Sequence, residues 1–167
     1  MSPSPPAIVT DQQEAVLYHS IVRAVVRKAF GELNRGNLAP VLAAFHPRAR
    51  HFFIGAHCLA GTRNTPGSRA RWYHRLHALF PEFVFTIHSI RVSGTPWNTC
   101  VRVVWTENNV GTDGVSASND GMNVFTMAWG RVTDLSIYTD THRLVAALDR
   151  LARSGNTEAA AAPIQDP

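Results

Sequence analysis

Apolar positions between Asp11 and Leu33 recur at spacings of three and four: Val16, Leu17, Ile21, Val25, Val26, Phe30 and Leu33. The spacing predicts a first and longest helix, with Asp11 as its N-cap. Arg35-Gly36-Asn37 breaks it. Leu38 to Phe45 predicts a short second helix that stops before His46-Pro47, because the residue preceding a proline avoids the α region. The period then changes to two. Ala49 to Ile54 reads as a strand, turned at Gly55 into a brief extended piece from His57 to Ala60, so a hairpin is expected. A loop from Arg63 to Ser68 leads into a third helix, Ser68 to Phe80, with Trp72, Leu76 and Leu79 on one face and Pro81 as its stop.

Four longer β-rich segments follow: Phe83 to Val92, Thr99 to Asn108, Asn119 to Trp129 and Val132 to Tyr138. Gly, Pro and Asn turns separate them at hairpin spacing, which predicts an antiparallel meander. The polar, glycine-rich stretch Asn109 to Ser118 is expected to project from the sheet as a loop. Thr141 to Ala152 predicts a last amphipathic helix capped by Asp140 or Thr141. There is no internal repeat. This order gives an α+β class: a curved antiparallel sheet, with three N-terminal helices and a C-terminal helix, around an apolar pocket. Residues 1–10 are expected to be a disordered N-terminus and residues 11–152 a single domain. Residues 153–167, which hold an alanine run and bury almost nothing in this reading, are expected to be a flexible tail.

At 167 residues, with 45% hydrophobic and 17% charged residues, the chain can bury a full core without disulfide or metal staples. Its net charge of +4 forms no basic stripe: Lys28 is its one lysine and the arginines are scattered, so no nucleic-acid partner is expected. Cys58 and Cys100 are too few for a zinc site and are expected to be free and buried in a reducing cytoplasm. No secretory leader and no apolar run of about 20 residues is present, which points to a soluble cytoplasmic protein with no membrane partner.

Three local patterns carry a resemblance. They are Arg35-Gly36-Asn37-Leu38 through Phe45-His46-Pro47; Gly61 before the helix bearing Trp72-Tyr73 and ending at Phe80-Pro81; and Gly130-Arg131-Val132 through Tyr138-Thr139-Asp140-Thr141. From about Ala15 to Ala152 the chain resembles the nuclear transport factor 2-like superfamily, in its SnoaL-like branch. The resemblance implies a cone-shaped α+β barrel whose pocket serves isomerases, polyketide cyclases, epoxide hydrolases, dehydratases and pure binders. It also implies a homodimer. Transferred residue by residue, the ketosteroid isomerase base falls on Phe53, its tyrosine on Ala29 and its protonated aspartate on Asn123, so that route is lost. The acid that an epoxide hydrolase needs on its last strand falls on Ile137. The aspartate of the polyketide cyclases lies on the strand that here carries Asn123.

Strand alternation still builds a pocket. If Asn123 faces inward, so do Phe125 and Met127, with Val101, Val103, Trp105 and Glu107 on the neighbouring strand and Ile137 on the last. Phe45, Trp72 and Tyr73 are expected to close it from the helices. His51 shares the face of Phe53 and is the expected base at neutral pH, the alternative being a hydrogen-bonded structural histidine. Glu107 is either an assisting acid/base or a solvated rim acid. Asn123 either donates its amide to a developing oxyanion or bonds to backbone. His57 beside Cys58 reads as a turn histidine. His74 and His77 read as solvated, and no metal or cofactor is expected.

These residues suit a cofactor-free enzyme of secondary metabolism, carrying out isomerase, cyclase or dehydratase chemistry on an apolar carbonyl compound. The alternative is a non-catalytic or dimeric accessory protein that binds a hydrophobic small molecule in the same pocket. An interaction module ranks third. Trp129, Tyr138 and Val124 mark the outer sheet face as the expected homodimer surface.

Overall fold

The structure is a computed structural model that describes residues 11–166, so the expected disorder of residues 1–10 and the cap by the Asp11 side chain lie outside it. Helices α1 (Asp11–Asn34), α2 (Leu38–Ala43) and α3 (Pro66–Leu79) precede the meander, and α4 (Thr141–Arg153) follows it. The strands are β1 (Phe45–Phe53), β2 (Gly61–Arg63), β3 (Glu82–Thr95), β4 (Asn98–Val110), β5 (Ser116–Ala128) and β6 (Arg131–Thr139). They form one sheet in the order β2-β1-β6-β5-β4-β3, antiparallel except where β1 runs parallel to β6. The outer strands β2 and β3 do not pair, so the cone is an open, curved sheet and the barrel is unclosed.

Several boundaries move for physical reasons. Gly36, at a φ of 71°, lets the chain fold back so that Asn37 N donates to Glu32 O and closes the end of α1. The second helix stops at Ala43, because Val132 N captures Ala44 O and draws Phe45 into the sheet. Pro47, which has no N–H for a ladder, falls in the irregular stretch between Phe45 and Arg50. The expected strand from His57 to Ala60 is a turn, closed by Ala60 N on His57 O, and the short strand starts at Gly61. Thr65 caps α3 by accepting from Ser68 N, and Pro66 fills the first helical position, so that helix begins earlier than its apolar face indicates. The loop after β4 shrinks to residues 111–115, since Asn109 pairs with Ala117 and Asn108 with Ser118.

All four helices are amphipathic to different degrees, and α1 is not covered as its apolar pattern predicts. Val22, Val26, Phe30 and Leu33 are buried, whereas Val16, Leu17, Ile21 and Val25 are each more than half exposed. The buried stripe advances by four, four and three, and the exposed one is rotated by one residue, about 100° around the helix. Asp140 caps α4 as expected, accepting from His142 N and Arg143 N.

The C-terminal segment corrects the expectation that it buries almost nothing. Ala159 and Ile164 pack on the core, Arg75 pairs with Glu158 at 2.6 Å, and Asp166 sits against the start of α3. There the Asp166 carboxylate accepts from Asn64 N, Thr65 N and Ser68 Oγ, which lowers its pKa from 3.8 to about 2. A depressed carboxylate stabilises the fold above its ordinary pKa and loses that contribution as pH falls through the folded value. Asp166→Asn should therefore lower the melting temperature at neutral pH. Its deficit against the unmodified protein should shrink between pH 3.8 and about pH 2, as read by melts in a pH series.

Candidate functional site

The inward stripe of β5 is Asn119, Gly121, Asn123, Phe125 and Met127, and it faces Glu107, Trp105, Val103, Val101 and Thr99 on β4. The benzene edge of the Trp105 indole lies against Gly121. A Cβ there would overlap the ring and the Tyr138 carbonyl, so only glycine accepts this approach. The ring is thereby aimed along β5, and its Nε1–H donates to Asn123 Oδ1 at 3.0 Å. Because an indole nitrogen only donates, the amide orientation is fixed. Asn123 Nδ2 is left without a partner among the described residues, on a residue that lines the cavity.

The opposite wall comes from α1 and α3. Trp72 and Tyr73 meet edge to face at 5.0 Å, and Trp72 Nε1 is anchored on Leu59 O at 2.8 Å. Two chambers result. One is walled by Phe53, Trp72, Phe85, Trp105 and Ile137, with Glu107 and Asn119 at one end; the other holds Phe45, Phe125 and Met127. Phe30, Leu33, Tyr73 and Asn123 line both. Their volumes, about 50 and 90 Å³, hold a few waters. Neither chamber is large enough for a ring-sized molecule unless the shared side chains part.

Strand alternation and the helical side place Phe45, Phe53, Trp72, Tyr73, Trp105, Glu107, Asn123, Phe125, Met127 and Ile137 on these walls, and the structure brings them together there. Val101 and Val103, expected with them, are fully buried and line neither chamber, and His51 departs as well. It has the inward parity expected of it, yet it lies fully buried behind Trp72 and Tyr73, with ring distances of 4.6 and 5.7 Å, and lines neither chamber. Its Nδ1 accepts from Arg63 Nε at 3.1 Å. Arginine cannot accept, so the imidazole carries its proton on Nε2, which has no partner. Burial, and then the guanidiniums of Arg63 and Arg69, hold its pKa well below 6.5. The expected neutral-pH base is thus a neutral structural group with its one lone pair occupied.

Glu107 departs from the rim reading. It is partly buried at the end of the aromatic chamber, and burial raises its pKa above 4.5, partly offset by the hydrogen bond from Asn109 Nδ2. Tyr73 contributes a hydroxyl with no hydrogen bond among the described residues. Burial raises its pKa, against the opposing pull of Arg63 and Arg69. Among the candidates outside the chambers, His57 bonds Ile54 O in its turn, as expected. His77 is half-buried, with its ring tilted against Phe83 at 4.7 Å. Cys58 and Cys100 are free, but only Cys58 is buried, its thiol pushed up to about 11.

Alternation also selects Asn119, four residues before Asn123 on the same face, although the sequence reading did not single it out. Arg63 gave no such signal, because an isolated arginine in a polar loop reads as solvated. No helix among the described residues is long and apolar enough to cross a membrane.

Residues 26–135 match the family model described as a SnoaL-like domain. No curated protein matches the sequence. Among solved structures, an NTF2-like protein of unknown function from Burkholderia pseudomallei superposes with a TM-score of 0.68 at 20% identity, over 75% of this chain and 95% of that one. TerC, co-crystallised with polyporic acid, gives 0.66 at 16% identity over 77% and 97%. A protein of Shewanella putrefaciens described as a candidate SnoaL-like polyketide cyclase gives 0.62 at 12% identity over 77% and 96%. At these identities the likeness is one of fold.

The geometry at His51 makes a spectroscopic prediction. Its ring nitrogens, followed by proton–nitrogen correlation spectra, should still report the neutral Nε2–H form as pH falls through 6.5, the ordinary histidine value. Titration near the ordinary histidine value would restore it as a base.

Proposed function

Because this chain belongs to the SnoaL-like domain family, we propose that it is a cofactor-free enzyme of the isomerase or cyclase type, moving a proton on an apolar carbonyl compound of secondary metabolism. Glu107 is the acid/base. It is the one carboxyl group lining the aromatic chamber, and burial moves its pKa toward neutrality, where proton transfer is most effective. Asn123 Nδ2 and the Tyr73 hydroxyl donate to the carbonyl oxygen as negative charge develops on it. Asn119, beside Glu107, and Asn123 are separated by four residues of β5, about 13 Å of strand. That span favours a conjugated ring system, through which charge created near Glu107 reaches an oxygen held at Asn123.

The observation that carries this reading is the pairing, in one apolar chamber, of a carboxyl raised by burial with an amide whose oxygen is already taken by Trp105. Incubation with a mixture of polyketide-like and terpenoid-like carbonyl compounds, followed by native mass spectrometry, tests it. At least one compound should return altered. Glu107→Gln should keep binding that compound while lowering kcat about 100-fold or more. Return of every bound compound unaltered would favour the second reading, a hydrophobic-ligand-binding accessory protein. That reading draws support from Phe53 and Asn123 standing where the resembled enzymes carry acids.

The expected homodimer remains part of the proposal. On the outer sheet face Val104 pairs with Met122 and Met122 with Tyr138 in an apolar row across three strands, with Val104 and Tyr138 exposed. Sedimentation velocity should show a dimer, and Val104→Asp should shift it to monomer without unfolding. A monomeric unmodified protein would remove this surface from the proposal.

A further inference from the structure

The polar groups at the two ends of the first chamber are sorted by hydrogen-bonding sense. At the Glu107 end each donor group already has an acceptor within the protein. Asn119 Nδ2 donates to Asp140 O, Asn109 Nδ2 to Glu107 Oε1, and the Thr139 hydroxyl to Asp120 O. Since Asp140 O only accepts, the orientation of the Asn119 amide is fixed and its Oδ1 faces no donor. Asn119 is only 5% exposed, and that oxygen is buried without a partner. A buried acceptor left unpaired is destabilising, and a donor supplied by a ligand would relieve it. A proton on Glu107 supplies one donor at most, and only while that carboxyl is neutral. At the Asn123 end the sense is reversed. Trp105 occupies the amide oxygen, leaving the amide N–H groups to donate, and Tyr73, which also lines the chamber, has a hydroxyl with no hydrogen bond among the described residues.

We infer that the ligand is a hydroxy-carbonyl compound, bound with one polarity: its hydroxyl donates to Asn119 Oδ1 beside Glu107, and its carbonyl oxygen accepts from Asn123 and Tyr73. This rests on the pocket reading above and adds the substrate class. A ketone with no hydroxyl leaves Asn119 unpaired. A methyl ether at the same position both leaves it unpaired and crowds it.

The test uses three probes on the full chain: a tetralone with a phenolic hydroxyl on the ring edge remote from its carbonyl, the methyl ether of that compound, and unsubstituted tetralone. Kd is read from quenching of tryptophan fluorescence, since Trp72 and Trp105 line the chamber. The hydroxylated probe should bind about 10-fold tighter than either analogue, the difference expected for one buried hydrogen bond. Glu107→Gln brings an N–H group within reach of Asn119 Oδ1 and should reduce that preference to about 3-fold or less. Asn119→Leu should do the same, and the Glu107 variant and the unmodified protein decide the matter if the leucine variant does not fold. Equal binding of the three probes by the unmodified protein overturns the inference and leaves the pocket reading standing; water would then be the donor. A preference unchanged in the Glu107 variant also overturns it. Binding of none of the three removes the carbonyl pocket, and the inference with it.

Discussion

A fully buried guanidinium, held by no ion pair among the described residues, organises this end of the fold. Arg63 is fully buried and donates to the carbonyls of Leu59, Ala60 and Gly61 and to His51 Nδ1. Removing such a charge from water is costly unless its donors are met, and here backbone oxygens meet most of them. The cost is reflected in its pKa, which burial lowers to about 10. In exchange the turn before β2 has one conformation, which presents Leu59 O to the Trp72 indole as well. The aromatic wall of the chamber is thus set by a cation that never touches it from within. Arg69, in the first turn of α3, repeats the device, donating to Ala49, His46 and Pro47 oxygens where proline interrupts the ladder of β1.

Across the cavity the sheet achieves the same fixity by the opposite means, an absent side chain. Gly121 lets Trp105 lie on the strand, and the indole then decides which half of the Asn123 amide is available. One end of the chamber offers hydrogen-bond donors and the other acceptors, although both ends are built largely from asparagine. The distinction comes from what each amide is already bonded to, and composition alone does not contain it.

That difference separates what the sequence made legible from what it did not. Strand alternation was enough to turn Trp105, Glu107, Asn123, Phe125 and Met127 inward together, because one face of the sheet is apolar and a register slip would have exposed it. Helix order and the meander followed from period and turns. The parallel junction of β1 with β6 did not, since it joins segments that share no local signal. His51 had the right parity and the wrong surroundings: the arginine that claims its lone pair arrives from β2, and two aromatic rings from α3 stand between it and the cavity. Parity names a face, whereas chemistry depends on what else reaches that face. The exposed stripe of α1 failed in the same way, because apolar spacing shows that a helix has a face to bury without showing how wide a face the sheet will cover.

The parallel pairing also bears on how the molecule comes into being. During synthesis the chain emerges from its amino end, and β1 is made long before β6, its neighbour in the finished sheet. Its other partner, the three-residue β2, offers little cover to Phe45 and Phe53. The β6 side of β1 can be paired only once the meander has been made, which puts this long-range ladder late in the assembly of the sheet.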